Sequence, residues 1–138
     1  MPTVIIPGRY ENLTEISCLV REAAQDTGLN DFATYAVETA VDEACSNIIE
    51  HAYGGEDKGD IEFSYDITEV GLKITLVDHG KPFDPDKVPI PDLKGHLRTR
   101  KTHGLGLYIM RQWMDEVKFK FEEGKNTLTM LKLRNPQN

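Results

Sequence analysis

Three stretches of this chain carry residue types that could act on a ligand. In VDEACSNIIEHAY, Glu43, Asn47 and His51 recur at intervals of four, so on a helix a carboxylate, a carboxamide and an imidazole stack along one edge. Asparagine has poor helix propensity and is usually avoided beside an apolar stripe, which makes Asn47 the most telling of the three. A solvated helix flank is the plain alternative for the same row. In VDHGKPFDP, Asp78 closes an alternating apolar run and Gly80 follows, setting a carboxylate where the backbone turns sharply. Such a group can accept a hydrogen bond from an amine, for instance the adenine amino group, although Asp-x-Gly after a strand is also an ordinary turn. In THGLG, Gly104 and Gly106 let the backbone approach a ligand, and the unpaired N–H groups of the helix that follows suit a polyphosphate. Arg98, Arg100 and Lys101 lie just upstream and would favour the same anion. Taken singly, the glycines equally make a flexible lead-in to a helix, and the three cations a solvated loop.

These residues need elements to hold them. TVII at 3–6, between Pro2 and Pro7, reads as a short edge strand. Leu13, Ile16, Val20 and Ala23 have helical spacing, Asn12 with Glu15 resembles a capping box, and Gly28 is a stop, which predicts a helix over 12–27. Asn30 or Asp31 caps a longer helix whose stripe is Val37, Val41, Ala44, Ile48 and Ala52, ending near Tyr53. Ile61, Phe63, Tyr65 and Ile67, then Leu72, Ile74 and Leu76, alternate as a hairpin turning at 69–71. Prolines 82, 85, 89 and 91 break regular structure in a long loop. An apolar helix over Leu105 to Met114 follows, then a hairpin of strands at 117–121 and 127–133 turning at Gly124. Amphipathic helices and half-apolar strands must cover each other. The expected fold is therefore a two-layer α/β sandwich with a mixed, mostly antiparallel sheet and helices on one face.

Bulk properties narrow the function. A chain of 138 residues with 39% hydrophobic and 28% charged residues fits one domain, expected over 1–138. Its formal net charge of −7 argues against a nucleic-acid footprint and for a protein or small-molecule partner. Cys18 and Cys45 fall in apolar helical patterns without metal or redox spacing, so both are expected as reduced core residues of a cytoplasmic protein. No stretch has the length or apolarity of a membrane span, and the N-terminus has neither a basic region nor a long apolar run. GxxxxGK[ST] is absent, which excludes a P-loop, and so are the lysine-strand and catalytic-loop signatures of eukaryotic-type protein kinases.

The three stretches also occur in a fixed order. In that order they resemble the GHKL ATPase and kinase superfamily: VDEACSNIIEHAY its N box, DHGKPF its first glycine box and HGLGLYIM its second. The resemblance is nearest to the anti-sigma-factor serine kinases, its small single-domain branch, with Pro82 where histidine kinases and gyrases usually place a glycine. It implies a Bergerat-type ATP-binding fold, with a nucleotide lid at about 84–102. Carried over by residue, it implies Asn47 as ligand of Mg²⁺, Glu43 as general base or orienting carboxylate and Asp78 as acceptor for the adenine amino group, with Gly80 making room for the ring. Gly104, Leu105 and Gly106 would offer N–H groups to the phosphates, with His103 at the lid hinge and His51 beside the nucleotide. Thr127 would support adenine recognition, although Asn126 stands where some relatives carry glycine. The implied activity is ATP-dependent phosphorylation of a serine on a STAS-domain anti-anti-sigma partner, with sequestration of a sigma factor and a homodimeric state. The alternative is a nucleotide-gated binding module without kinase activity.

Overall fold

The computed structural model describes residues 3–82 and 103–134, of which 103–106 are described by their backbone. The expected lid at about 84–102 lies outside the described residues. Strand β1 (Thr3–Pro7) leads through a 3-10 turn (Tyr10–Asn12) into helix α1 (Leu13–Thr27). Helix α2 (Asp31–Asn47) runs on into a π-helical turn (Ile48–Ala52). Then come β2 (Asp60–Ile67), β3 (Gly71–Asp78), helix α3 (His103–Trp113), β4 (Glu116–Glu122) and β5 (Lys125–Leu133).

Local chemistry sets most of the boundaries. Gly28 ends α1 at φ 87°, where its N–H reaches Ala24 O at 3.1 Å, a left-handed cap that a side chain would disfavour. Asn30 caps α2, its side chain accepting from Ala33 N at 2.7 Å. The expected capping box at Asn12 does not form. A 3-10 turn precedes α1, so Asn12 is already helical at φ −80° and ψ −10°, and its Nδ2 donates to Pro7 O at 2.9 Å instead.

The strands pair in the order β1-β2-β3-β5-β4, every neighbour antiparallel. The expected two-layer sandwich with a mostly antiparallel sheet is present, its pairings among the described strands all antiparallel. Strands β3 and β4 run the same way, but β5 inserts between them and pairs with both. The alternation places Phe63, Ile74, Leu76, Leu128 and Met130 on one face, all buried against the helices. Helix α2 is flanked by α1 and α3, an approach eased by the buried small residues Ala36, Ala40 and Ala44. Cys45 is fully buried as expected, whereas Cys18 is exposed. The buried stripe of α1 runs through Ile16, Val20 and Ala23, and a residue two places from Ile16 points to the opposite side of the helix. No helix among the described residues is long and apolar enough to cross a membrane.

Candidate functional site

The fold brings the end of α2 against the ends of β3 and β5. Between them lies a cleft open to solvent. Its polar lining is Asn47, Asp78, Lys81, Asn126 and Thr127, and Met110, Phe119, Phe121 and Leu128 supply apolar walls. The rings of Phe119 and Phe121 stand 6.0 Å apart and nearly parallel on β4. Planar apolar surface of this kind suits an aromatic base.

The π-helical turn shapes the helix wall. Tyr53 N–H reaches back five residues to Ile48 O at 2.9 Å, and the widened turn leaves the Ala52 carbonyl to accept from Lys81 N at 2.8 Å. That carbonyl lies so close to Gly80 that a Cβ there would come within 2.4 Å of its oxygen. Gly80 is therefore required by close backbone approach. The same turn changes the register of the helix edge. With one extra residue per turn, Ala52 follows Asn47 onto the cleft wall, and His51 does not line the cleft. Its side chain is half-buried, with Nε2 3.9 Å from Glu50 Oε1.

On the sheet wall Asp78 is 5% exposed. Its Oδ1 accepts from Gly80 N at 2.9 Å and from Asn126 Nδ2 at 2.7 Å. Tyr53 ties the helix wall to the same corner, its hydroxyl accepting from His79 N at 3.0 Å and donating to Asp60 O at 2.6 Å. Burial pushes the Tyr53 phenol up, which keeps it protonated and able to donate.

Glu43 stands one turn before Asn47 on α2 and is half-buried outside the cleft lining. Burial first, then the neighbouring Asp42 and Glu50, hold its carboxyl above the usual carboxylate range. Such a shift moves an acid toward the range in which a general base works near neutral pH. His103 to Gly106 form the first turn of α3, which starts two residues earlier than its apolar pattern indicated.

Of the residues singled out in the sequence, Asn47, Asp78 and Thr127 line one cleft, and Gly80 adjoins it through Ala52 and Asn126. Strand alternation sets Thr127 beside Val77 and Lys120, on the face turned from the helices, whereas Asn126 faces Asp78. Sequence reading missed Asn126, and also Lys81 as a cation in the lining. The period of β5 held the signal: Leu128 and Met130 are core residues, so position 126 shares their face.

Comparison with known proteins places this arrangement. Residues 6–132 match the family described as the histidine kinase-like ATPase domain. The chain belongs to that family. It is 32% identical over 127 residues to the serine-protein kinase RsbW of Bacillus cereus (strain AH187), covering 89% of this chain and 79% of that protein. To the serine-protein kinase RsbW of Bacillus velezensis it is 36% identical over 103 residues, covering 72% of this chain and 64% of that one. Among solved structures, the fold is similar to the RsbU and RsbW domains of Rv1364c from Mycobacterium tuberculosis, with a TM-score of 0.63 at 15% identity over 99% of this chain and 34% of that one. It is also similar to the histidine kinase domain of a blue-light activated histidine kinase from Erythrobacter litoralis, with a TM-score of 0.57 at 16% identity, covering 94% and 62%.

Proposed function

We propose that this protein is an Mg·ATP-dependent serine-protein kinase and anti-sigma factor of the cytoplasm, acting as a homodimer on a serine of a STAS-domain partner and sequestering a sigma factor. The observation that carries the reading is the convergence of Asn47, Asp78 and Gly80 on one cleft, in a chain similar to serine-protein kinases over most of its length. The donor set fits the nucleotide. Buried Asp78 has Oδ1 held by two donors, which leaves Oδ2 for an entering amino group, and Gly80 keeps the turn beside it thin. Among the described residues no three His, Cys, Asp or Glu side chains gather to hold a metal. Magnesium commonly takes one or two protein ligands together with phosphate oxygens and water, so the Asn47 carboxamide oxygen suffices on the protein side.

Mg·ATP, when bound, supplies the phosphoryl group and the divalent charge that offsets its anions. Asp78 would accept the base amino N–H, Phe119 and Phe121 would offer apolar surface to the ring, and Asn47 would hold the metal. The first-turn N–H groups of α3, at His103, Gly104, Leu105 and Gly106, are donors for phosphate oxygens. Glu43 receives the proton of the partner's serine hydroxyl as its Oγ–P bond forms, the terminal phosphoanhydride bond breaks and ADP leaves. Positioning and charge neutralisation carry most of such a reaction.

One observation favours a second reading, a nucleotide-gated binding module without transfer: Glu43 does not line the cleft. Transfer of γ-labelled phosphate from ATP to purified STAS-domain proteins of the same genome separates the two. Label on a partner serine, lowered about 10²- to 10⁴-fold in Glu43→Ala, is the expected outcome. ATP binding without label on any candidate favours the binding module. Unchanged Mg·ATP binding in Asn47→Ala would remove the metal assignment.

A further inference from the structure

We propose that Asn126 is the positioning residue for the base-recognising carboxylate, an inference that rests on the nucleotide reading of the cleft. Asn126 is 6% exposed and stands directly opposite Asp78 in the β3–β5 register. A carboxamide has two N–H donors, and both are engaged: Nδ2 donates to Asp78 Oδ1 at 2.7 Å and to Gly80 O at 3.0 Å. Gly80 N donates to the same Oδ1 at 2.9 Å. Two donors on one oxygen fix the plane of the carboxylate and turn its other oxygen toward a donor entering the cleft. Asn126 thereby binds the end of β3 and the turn after it into one unit. A threonine or serine hydroxyl, with a single proton, can serve only one of these two acceptors.

Packing alone does not call for an asparagine here. Leu128 and Met130 continue the same face of β5 as buried apolar residues, and a leucine at 126 would extend that row. A buried carboxamide is favourable only when its hydrogen bonds are made, and the donors of this one are spent on the carboxylate and the adjoining turn. Asn126 therefore acts on the base through Asp78: it sets how sharply the cleft separates a purine bearing an amino group at position 6 from one that lacks it.

The test compares dissociation constants for ATP and for purine riboside triphosphate, which lacks that amino group, in the wild type, Asn126→Leu and Asn126→Ser. The wild type is expected to bind ATP at least about tenfold more tightly than the analogue, the usual scale of a hydrogen bond to a charged group. In Asn126→Leu, close in volume but without donors, that ratio should fall to within about twofold of unity. Asn126→Ser, with one donor, should give an intermediate ratio. The kcat of phosphoryl transfer at saturating ATP should stay near the wild-type value while KM rises. Equal weakening of both nucleotides in folded Asn126→Leu, with the ratio unchanged, would reduce Asn126 to a packing role and overturn the inference alone. A wild type that binds both equally would overturn it together with the assignment of Asp78. Should the leucine variant not fold, Asn126→Ser decides: a lowered ratio supports the proposal and a wild-type ratio overturns it.

Discussion

The two walls of the cleft are built on opposite terms. On the sheet wall, Asp78 and Asn126 are buried and hydrogen-bonded to each other and to the turn at Gly80. On the helix side, Asn47 lines the cleft and Glu43, one turn before it, lies just outside the lining, both half-buried. Asp42, Glu43 and Glu50 gather like charge along that helix, and each raises or shares in the cost of ionising Glu43. A wall whose polar groups satisfy one another is already shaped for recognition, because nothing in it must reorganise when a ligand arrives. A helix edge that gathers half-buried carboxylates gains most when a cation arrives, since opposite charge relieves the repulsion.

The contrast breaks most visibly at its rigid side. Asp78→Asn keeps the shape of the corner but removes the charge, and ATP affinity is expected to fall about 10- to 100-fold, as for loss of a charged hydrogen bond. Titration calorimetry reads this directly, and wild-type affinity in the variant would mean that the base lies elsewhere. Gly80→Ala comes next. Its methyl group would meet the Ala52 carbonyl, and backbone cannot give way as a side-chain tip can, so a stability loss of about 1–3 kcal/mol is expected in urea unfolding. An unchanged midpoint would show that the π-helical turn yields at little cost.

The smallest effect belongs to the helix wall and has the opposite sign. Because the folded state holds the Glu43 carboxyl above its ordinary range, it keeps that proton to higher pH than the unfolded chain does. The associated stability is present below the ordinary carboxylate range and is lost as pH rises through the folded value. At neutral pH the ionised group is therefore a net cost. Glu43→Gln should raise Tm by about one to two degrees at pH 7, with the gain fading toward pH 4, while phosphoryl transfer is lost. A lower Tm at pH 7, or a gain independent of pH, would contradict the half-buried, like-charged setting described for Glu43.

Much of this contrast was legible in the sequence. Alternation in IEFSYDI and LKITLVD predicted both central strands and the face that carries Phe63, Ile74 and Leu76. The helical stripe from Val37 to Ala52 is buried along its whole length. Local rules failed where a longer-range contact outweighed them. Asn12 has the residue type of a cap, but it bonds to Pro7 because the chain enters α1 through a 3-10 turn. His51 has the spacing of a site residue, yet spacing of four presumes an α-helix, and hydrogen bonds spanning five residues set the end of α2. Thr127 was expected to support adenine recognition, but the side-chain alternation of β5 gives the contact with Asp78 to its neighbour.

The sequence by itself determined which segments are helix and strand, which face of each is apolar, and the order of three ligand-directed motifs, since these follow from side-chain periodicity and from the backbone preferences of glycine, proline and asparagine. Only the tertiary structure decided that β5 lies between β3 and β4, which carries Asn126 to a carboxylate 48 residues away in the chain. It alone decided that Ala52 takes the place on the cleft wall that His51 was expected to fill. Strand neighbours are chosen by burial and register across the whole sheet, and a π-helical turn persists because partners from distant strands satisfy the groups it frees. Neither choice is written in any local window of the chain.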